Sequence, residues 1–473
     1  MDTTLIRDLT RGSVSRQLIH FSFPFLLANL LQLVYSLVDM VFVGQVVGST
    51  GLAAVSVGSQ LTMLFATLGM GFAAGGQIYI SQQVGRGERE ELRPTIGTLF
   101  TSLTLMALLI TVVGCAFCRP LLQLLNTPAE AMDQAADYLF VCSLGMFFIF
   151  GYNSLCAVLR GMGDSRHPLL FVFIATVLNV VLDYLFVVVM GLEAKGAALA
   201  TVAGQACSFL FAVVLLYQNR ANFAFDFRLS SFAIHPERAR ALVKLSLPIA
   251  LQQNAITISM LYVNAQINAL GLVAVAVAGI GQKIQHVVGV ITGAMQAAAA
   301  TMVGQNMGAG KLNRVKNIVF ICWAVCLAAA AVCSAAFLLF PRQIFACFDR
   351  NPEVLACAPG FLSIVCVMVF SFALMAPTNG LINGIGFTTL NLGIALLDGV
   401  IFRIGLSMLF GRYLEWGVNG YYLGNALAGY ISVFLGSLYF FSGRWERRRL
   451  LQGAEGASSG EPEALNGAWE HKA

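Results

Sequence analysis

The chain has 473 residues, of which 58% are hydrophobic and 11% charged, with a formal net charge of +5 and a mean hydropathy of +0.79. Soluble domains carry about 25% charged residues, so a chain this long with so little charge cannot cover its own surface in water. A soluble globular protein is excluded, no nucleic-acid partner is expected, and an integral membrane protein is left.

At about 20 apolar residues per crossing, the sequence predicts twelve membrane helices, at 18–43, 52–80, 95–117, 131–159, 168–190, 197–218, 241–269, 273–303, 315–340, 354–382, 388–411 and 420–442. Alternation at strand period is absent, which excludes a β-barrel and predicts an all-α fold. Arg7, Arg11 and Arg16 precede the first run, which is too long for a signal-peptide core and has no cleavage pattern after it, so it reads as a retained anchor. Lys and Arg divide 21 to five between alternate connections, with the larger share on the side of the N-terminus, which predicts both termini cytoplasmic.

In the first helix Pro24 lies about two turns in, and Pro248 lies likewise in the seventh. Each removes a backbone hydrogen bond and serves either as a hinge or as a static bend. Asp39 follows deep in the first helix, and Asp183 near the end of the fifth. An ionisable group at the bilayer centre costs roughly 2.5–3.5 kcal/mol on the mildest scale, so both are functional candidates. Asn179 and Asp183 stand at i and i+4 on one face, and Thr201 lies at similar depth in the sixth helix. Such oxygens suit a small cation, and two nearby carboxylates can instead share a proton. In the second half the intramembrane charges are Lys283, Asp398 and Arg403; the last two are close enough in sequence to pair, while Lys283 beside Gln282 and near His286 marks a candidate polar site.

The chain repeats itself. Gln82-Gln83-Val84-Gly85-Arg86-Gly87 returns as Gln305-Asn306-Met307-Gly308-Ala309-Gly310, Gly161 and Gly163 as Gly384 and Gly386, and Pro24 as Pro248, at separations of 223 or 224 residues. This predicts two parallel six-helix units. The division is 1–17 as a cytoplasmic segment, 18–218 as the first lobe, 219–240 as a cytoplasmic linker lying on the headgroups, 241–442 as the second lobe and 443–473 as a polar tail.

Other motifs lead nowhere. Gly304 to Lys311 imitates a phosphate loop with the wrong spacing and no following Ser or Thr, so ATP is not expected to drive the protein; Gly69-x-Gly71-x-x-Ala74 reads as close helix packing. No enzyme or cofactor motif exists. The eleven cysteines read as small apolar residues, with only Cys347 and Cys357 in a polar connection where a bridge is conceivable.

The run Leu159-Arg160-Gly161-Met162-Gly163-Asp164-Ser165-Arg166-His167-Pro168, the run Val38-Asp39-Met40-Val41-Phe42-Val43-Gly44 and the duplicated Gln-x-x-Gly-x-Gly together resemble the multidrug and toxic compound extrusion (MATE) transporters, over residues 10–442. The resemblance implies two six-helix lobes around a V-shaped cleft, in the inner membrane of a bacterium, acting as a monomer. It also implies export of amphipathic, often cationic, compounds in exchange for protons or sodium ions. Asp39, Asn179, Asp183 and Thr201 match the coupling network of the DinF-like branch and would be the only Na+ ligands. Gln252-Gln253-Asn254 and Ala376-Pro377-Thr378 lack the acids of the NorM-like branch. Gln32 and Tyr35, two turns and one turn before Asp39, are the leading substrate residues, with Asn153 and Met190 behind them. The alternative function is flipping of a lipid-linked precursor, which calls for more basic residues at membrane depth than Lys283 and Arg403.

Overall fold

The computed structural model describes residues 6–125 and 127–448, except for the side chains at 36, 37, 39–41, 43, 45, 49, 52, 221 and 222; Asp39 is thus outside the described side chains. Long helices account for almost all of it, and no strand occurs among the described residues. The first half contains α1 (Val14–Val46), α2 (Gly48–Arg86), α3 (Arg89–Ala116), α4 (Ala129–Leu144 with Met146–Gly161), α5 (Arg166–Val189) and α6 (Glu193–Gln218). The second contains α7 (Pro236–Asn268), α8 (Leu272–Gly308), α9 (Leu312–Leu339), α10 (Pro352–Gly384), α11 (Thr388–Tyr413) and α12 (Gly417–Phe441).

Ten of these are long and apolar enough to cross a membrane, and α4, bent by 47°, makes eleven. The remaining one, α7, has the length, at 33 residues, but carries Gln252, Gln253, Asn254, Asn264, Gln266 and Asn268. Its polarity has a use, because part of that face lines a cavity. The α4 bend falls at Gly145, where a Cβ would sit 2.4 Å from Val202 of α6, so the missing side chain lets the two helices meet.

Two apolar cores form, one per half, and the repeats exchange ends between them. Leu18, Phe21 and Phe25 of α1 lie in the second-half core, while Leu242 and Leu245 of α7 lie in the first-half core. Leu18 and Leu242 are equivalent positions of the repeat, as are Phe21 and Leu245. Each half is therefore held by the opening turns of the other's first helix.

The linker is more than a surface layer. Phe223 and Phe225 are buried, Phe225 packs edge-on against Phe100 of α3, and Arg93 pairs with Asp226 at 2.9 Å. Its last residues already belong to α7, whose Arg238 pairs with Glu91. Four aromatic residues in ten positions gave this segment apolar area that headgroups do not cover.

Between the halves α2 runs against α7 and α8. A Cβ on Gly71 would lie 2.6 Å from Ala250 Cα, and one on Gly75 would lie 2.6 Å from Ser246 Cα. Backbone meets backbone there, and Ser246 Oγ donates to Phe72 O at 2.9 Å. Alanine normally favours a helix over glycine by roughly 1 kcal/mol, so an opposite sign reports the contact. Gly75→Ala is expected to lower the Tm of the detergent-solubilised protein, with overpacking costing about 1–3 kcal/mol, whereas Gly393→Ala, with nothing within 4 Å of its Cβ, is expected to leave it unchanged or raise it.

Candidate functional site

Three polar regions interrupt the apolar interior. The first is a slot of about 10 Å³ in the first half, lined by Gln32 and Tyr35 of α1, Tyr152 of α4, Thr176 and Asn179 of α5, and Thr201 and Gln205 of α6. That volume holds about one water. Helical spacing explains the set: 32 and 35, 176 and 179, and 201 and 205 are each one turn apart on a shared face. Gly204 permits the approach of α6, since a Cβ there would lie 3.1 Å from Ala175 O and 3.3 Å from Asn179 Cβ. Asn179 is 3% exposed, and its side-chain amide has no hydrogen-bond partner among the described residues. Asp183 is fully buried one turn further along α5, where the helix widens into a π turn, Tyr184–Val189.

Gln32 and Tyr35, expected to meet substrate, thus share one slot with Asn179 and Thr201, expected to hold the coupling ion. Asn153 donates to Ile149 O of its own helix at 2.8 Å, and Met190 is 55% exposed at the end of the π turn. Neither lines this slot or the large cavity described next. Tyr152, Thr176 and Gln205 also line the slot without a charge or motif to mark them in the sequence, although Thr176 and Gln205 are each one turn from Asn179 and Thr201 respectively.

The second region is a cavity of about 650 Å³, mostly in the second half. Gln253, Met260 and Asn264 of α7, Gln282, Gln285 and His286 of α8, Phe372 of α10, Arg403 of α11, and Tyr421, Tyr422 and Asn425 of α12 line it, with Asn29 and Met70 from the first half. Lys283 turns away from it and lies exposed, its Nζ 5.4 Å over the Phe348 ring. Asp398 and Arg403 do pair, Nη2 to Oδ1 at 3.3 Å, and both are buried. Five residues apart, they would diverge on a regular α-helix. The π turn Leu397–Phe402, with its i to i+5 hydrogen bonding, brings them together. The later π turn Leu409–Tyr413 is the repeat of Tyr184–Val189, but Leu397–Phe402 has no counterpart in the regular helix Arg166–Asp183.

The third region closes one end, and it explains the duplicated motifs. Gln82 Nε2 donates to Gly384 O at 2.8 Å, and its repeat Gln305 donates to Gly161 O at 3.3 Å. A Cβ on Gly85 would lie 2.0 Å from Gln305 O, and one on Gly308 would lie 2.3 Å from Gln82 O. The segment before α1 seals the seam, with Leu9 N donating to Gln305 Oε1 at 2.9 Å, Arg7 N to Met162 O at 2.8 Å and Lys311 Nζ to Thr10 O at 2.8 Å. Gly163 turns the chain at φ +89, a conformation that favours glycine. Asp164 then accepts from Arg166 N at 2.9 Å at the start of α5 and pairs with the His167 ring.

A duplicated helical protein with an ion-sized polar slot in one half, a drug-sized cavity in the other and a symmetric seal at one end belongs to the class of two-lobed membrane transporters. The MatE family model matches residues 24–185 and 248–409, so the chain belongs to the MATE family of multidrug efflux transporters. It is 28% identical over 447 residues to the probable multidrug resistance protein YpnP of Bacillus subtilis (strain 168), covering 94% of this chain and 98% of that one. It is 26% identical over 393 residues to a FAD transporter of Shewanella oneidensis, covering 78% and 83%. The solved structure of a MATE protein in the straight conformation shares its fold at a TM-score of 0.86 and 23% identity, over 92% of this chain and 97% of that one. The lipid-flippase alternative gains no support from these likenesses.

Burial alone would raise the Asp164 pKa, but the His167 ring and the Arg166 N–H hold the carboxyl below its ordinary value of 3.8. A carboxylate depressed in the folded state stabilises it fully above the unfolded pKa, and that contribution disappears as pH falls through the folded value. Asp164→Asn is therefore expected to lower the Tm at pH 7, with the gap to the native protein closing only below pH 3.8, as measured by melting in detergent across that range.

Proposed function

We propose that this chain is a secondary active exporter that moves amphipathic organic compounds out of a bacterial cell in exchange for protons or sodium ions, by alternating access of its two halves. The observation that carries this reading is the difference between the halves. The first offers a slot of ion size next to a fully buried Asp183, and the second a cavity of about 650 Å³, within the usual range for small-molecule sites. Tyr35 lines the slot, and Asp39 lies one helical turn further along α1, so the two acids and Asn179 and Thr201 form the coupling set, as in the DinF-like branch. Relatives named for multidrug resistance and for FAD leave the cargo to be read from the cavity itself.

Protonation or Na+ binding at this set changes charge beside α1, which continues into the seam and into the second-half core. A ligand shifts the two states only by its differential affinity for them, and α1 supplies a physical link between the sites. The excess of Lys and Arg in the connections at the sealed end supports a reading with that end and both termini on the cytoplasmic side and the large cavity open to the opposite side.

Dye efflux from proteoliposomes, with pH and sodium gradients imposed separately, tests the coupling. Asp39→Asn and Asp183→Asn are expected to cut gradient-driven efflux by at least about tenfold, within the span of ordinary coupling energies, while Lys283→Ala keeps most of it. Equal loss from Lys283→Ala would move the coupling site out of the first half.

The same assay separates hinge from bend. Pro24→Ala restores a hydrogen-bond donor inside α1, and a functional hinge predicts slower turnover with little change in Tm. Unchanged turnover beside Pro248→Ala would make Pro24 a static bend.

A further inference from the structure

Arg403 is 4% exposed, midway along α11, and lines the large cavity. Only part of its guanidinium is used. Nη2 reaches Asp398 Oδ1 at 3.3 Å, whereas Nε and Nη1 have no hydrogen-bond partner among the described residues. Asp398 is itself shared, because its Oδ2 accepts from Ser432 Oγ at 2.8 Å. A buried cationic donor without an acceptor is costly, and a π turn absent from the other half is what puts this one beside the cavity. The nature of the wall agrees with the charge: among the described residues no Asp or Glu lines the cavity, and Arg403 is joined by Asn264, Gln282, Gln285, His286 and Asn425, all of which can donate hydrogen bonds. Phe372 and Tyr421 supply flat apolar area.

We propose that this cavity takes aromatic compounds bearing a carboxylate or a phosphate, whose anion is received by Arg403, while Asp398 orients the guanidinium and competes with the cargo for it. The inference rests on the reading of the cavity as the cargo site, and it reverses the charge preference that the family resemblance implies. A planar, permanently charged guanidinium suits both anions. In the empty state Asp398 neutralises it, so the cavity is not left with a bare buried charge.

The test is equilibrium binding to the full chain in lipid nanodiscs, read by fluorescence anisotropy without any gradient, using carboxyfluorescein, flavin mononucleotide and the cationic dye rhodamine 6G. The native protein is expected to bind at least one of the two anionic probes more tightly than rhodamine. Binding of carboxyfluorescein alone assigns a carboxylate cargo, and binding of the flavin alone a phosphate cargo. Asp398→Asn removes the competitor and is expected to tighten anion binding several-fold, which a purely structural ion pair does not predict. The double variant Asp398→Asn with Arg403→Gln leaves no lone buried charge and is expected to lose anion binding by at least about tenfold, with an unchanged melting curve. Anion binding at the native level in the double variant, or binding of rhodamine alone by the native protein, overturns the proposal. Anion binding without export of any probe would instead sink the exporter reading and leave this one standing.

Discussion

The structure depends on one backbone contact made twice. At the basic end, α2 and α8 come so close that Gly85 faces the Gln305 carbonyl and Gly308 faces the Gln82 carbonyl, with no room for a Cβ on either. Each helix then sends the glutamine of its motif across the seam to a carbonyl at the end of the other half's fourth helix, Gly384 or Gly161. In a bilayer, where apolar surface gives little preference for one helix partner over another, close packing of small residues and interhelical hydrogen bonds supply the specificity. The seam is also polar, with side-chain amides and backbone carbonyls meeting across it.

On this symmetric frame the two halves have diverged. The first keeps α5 regular up to the buried Asp183 and, one turn before it, gathers amide and hydroxyl groups around a slot with room for one small particle. The second inserts an additional π turn and places Arg403 beside a cavity of about 650 Å³ against about 10 Å³ for the slot, with no carboxylate lining it among the described residues. One scaffold thus holds two polar sites that differ in size and in charge, since a guanidinium and an imidazole border only the larger among the described residues.

Helix α1 connects them. Its opening turns, at Leu18, Phe21 and Phe25, are part of the second-half core. Asn29 then faces the large cavity, and Gln32 and Tyr35 face the slot. Only Leu30 and Leu31 lie between the wall of one site and the wall of the other. One helix thus belongs to both halves and borders both sites.

The sequence by itself determined the membrane class, the helical fold, the repeat and the deep residues of the slot. Composition, bilayer length and i to i+4 spacing are local properties, and the energetic cost of Asn179 or Asp183 in an apolar run is visible without neighbours. It did not reveal that Gln32 and Tyr35 join the proposed ion residues in a single slot, because that depends on how α1 lies across α5 and α6. Nor did it show that Gln253 and Asn264 make α7 polar in order to line a cavity, or that the linker phenylalanines pack on α3. The Asp398–Arg403 pair marks the boundary most clearly. Their proximity in sequence foretold a contact, but the π turn that permits it, and the guanidinium nitrogens left without acceptors among the described residues beside a cavity, are visible only in the folded chain. Tertiary structure alone decided those features, since burial and hydrogen-bond satisfaction are properties of surroundings and not of a residue.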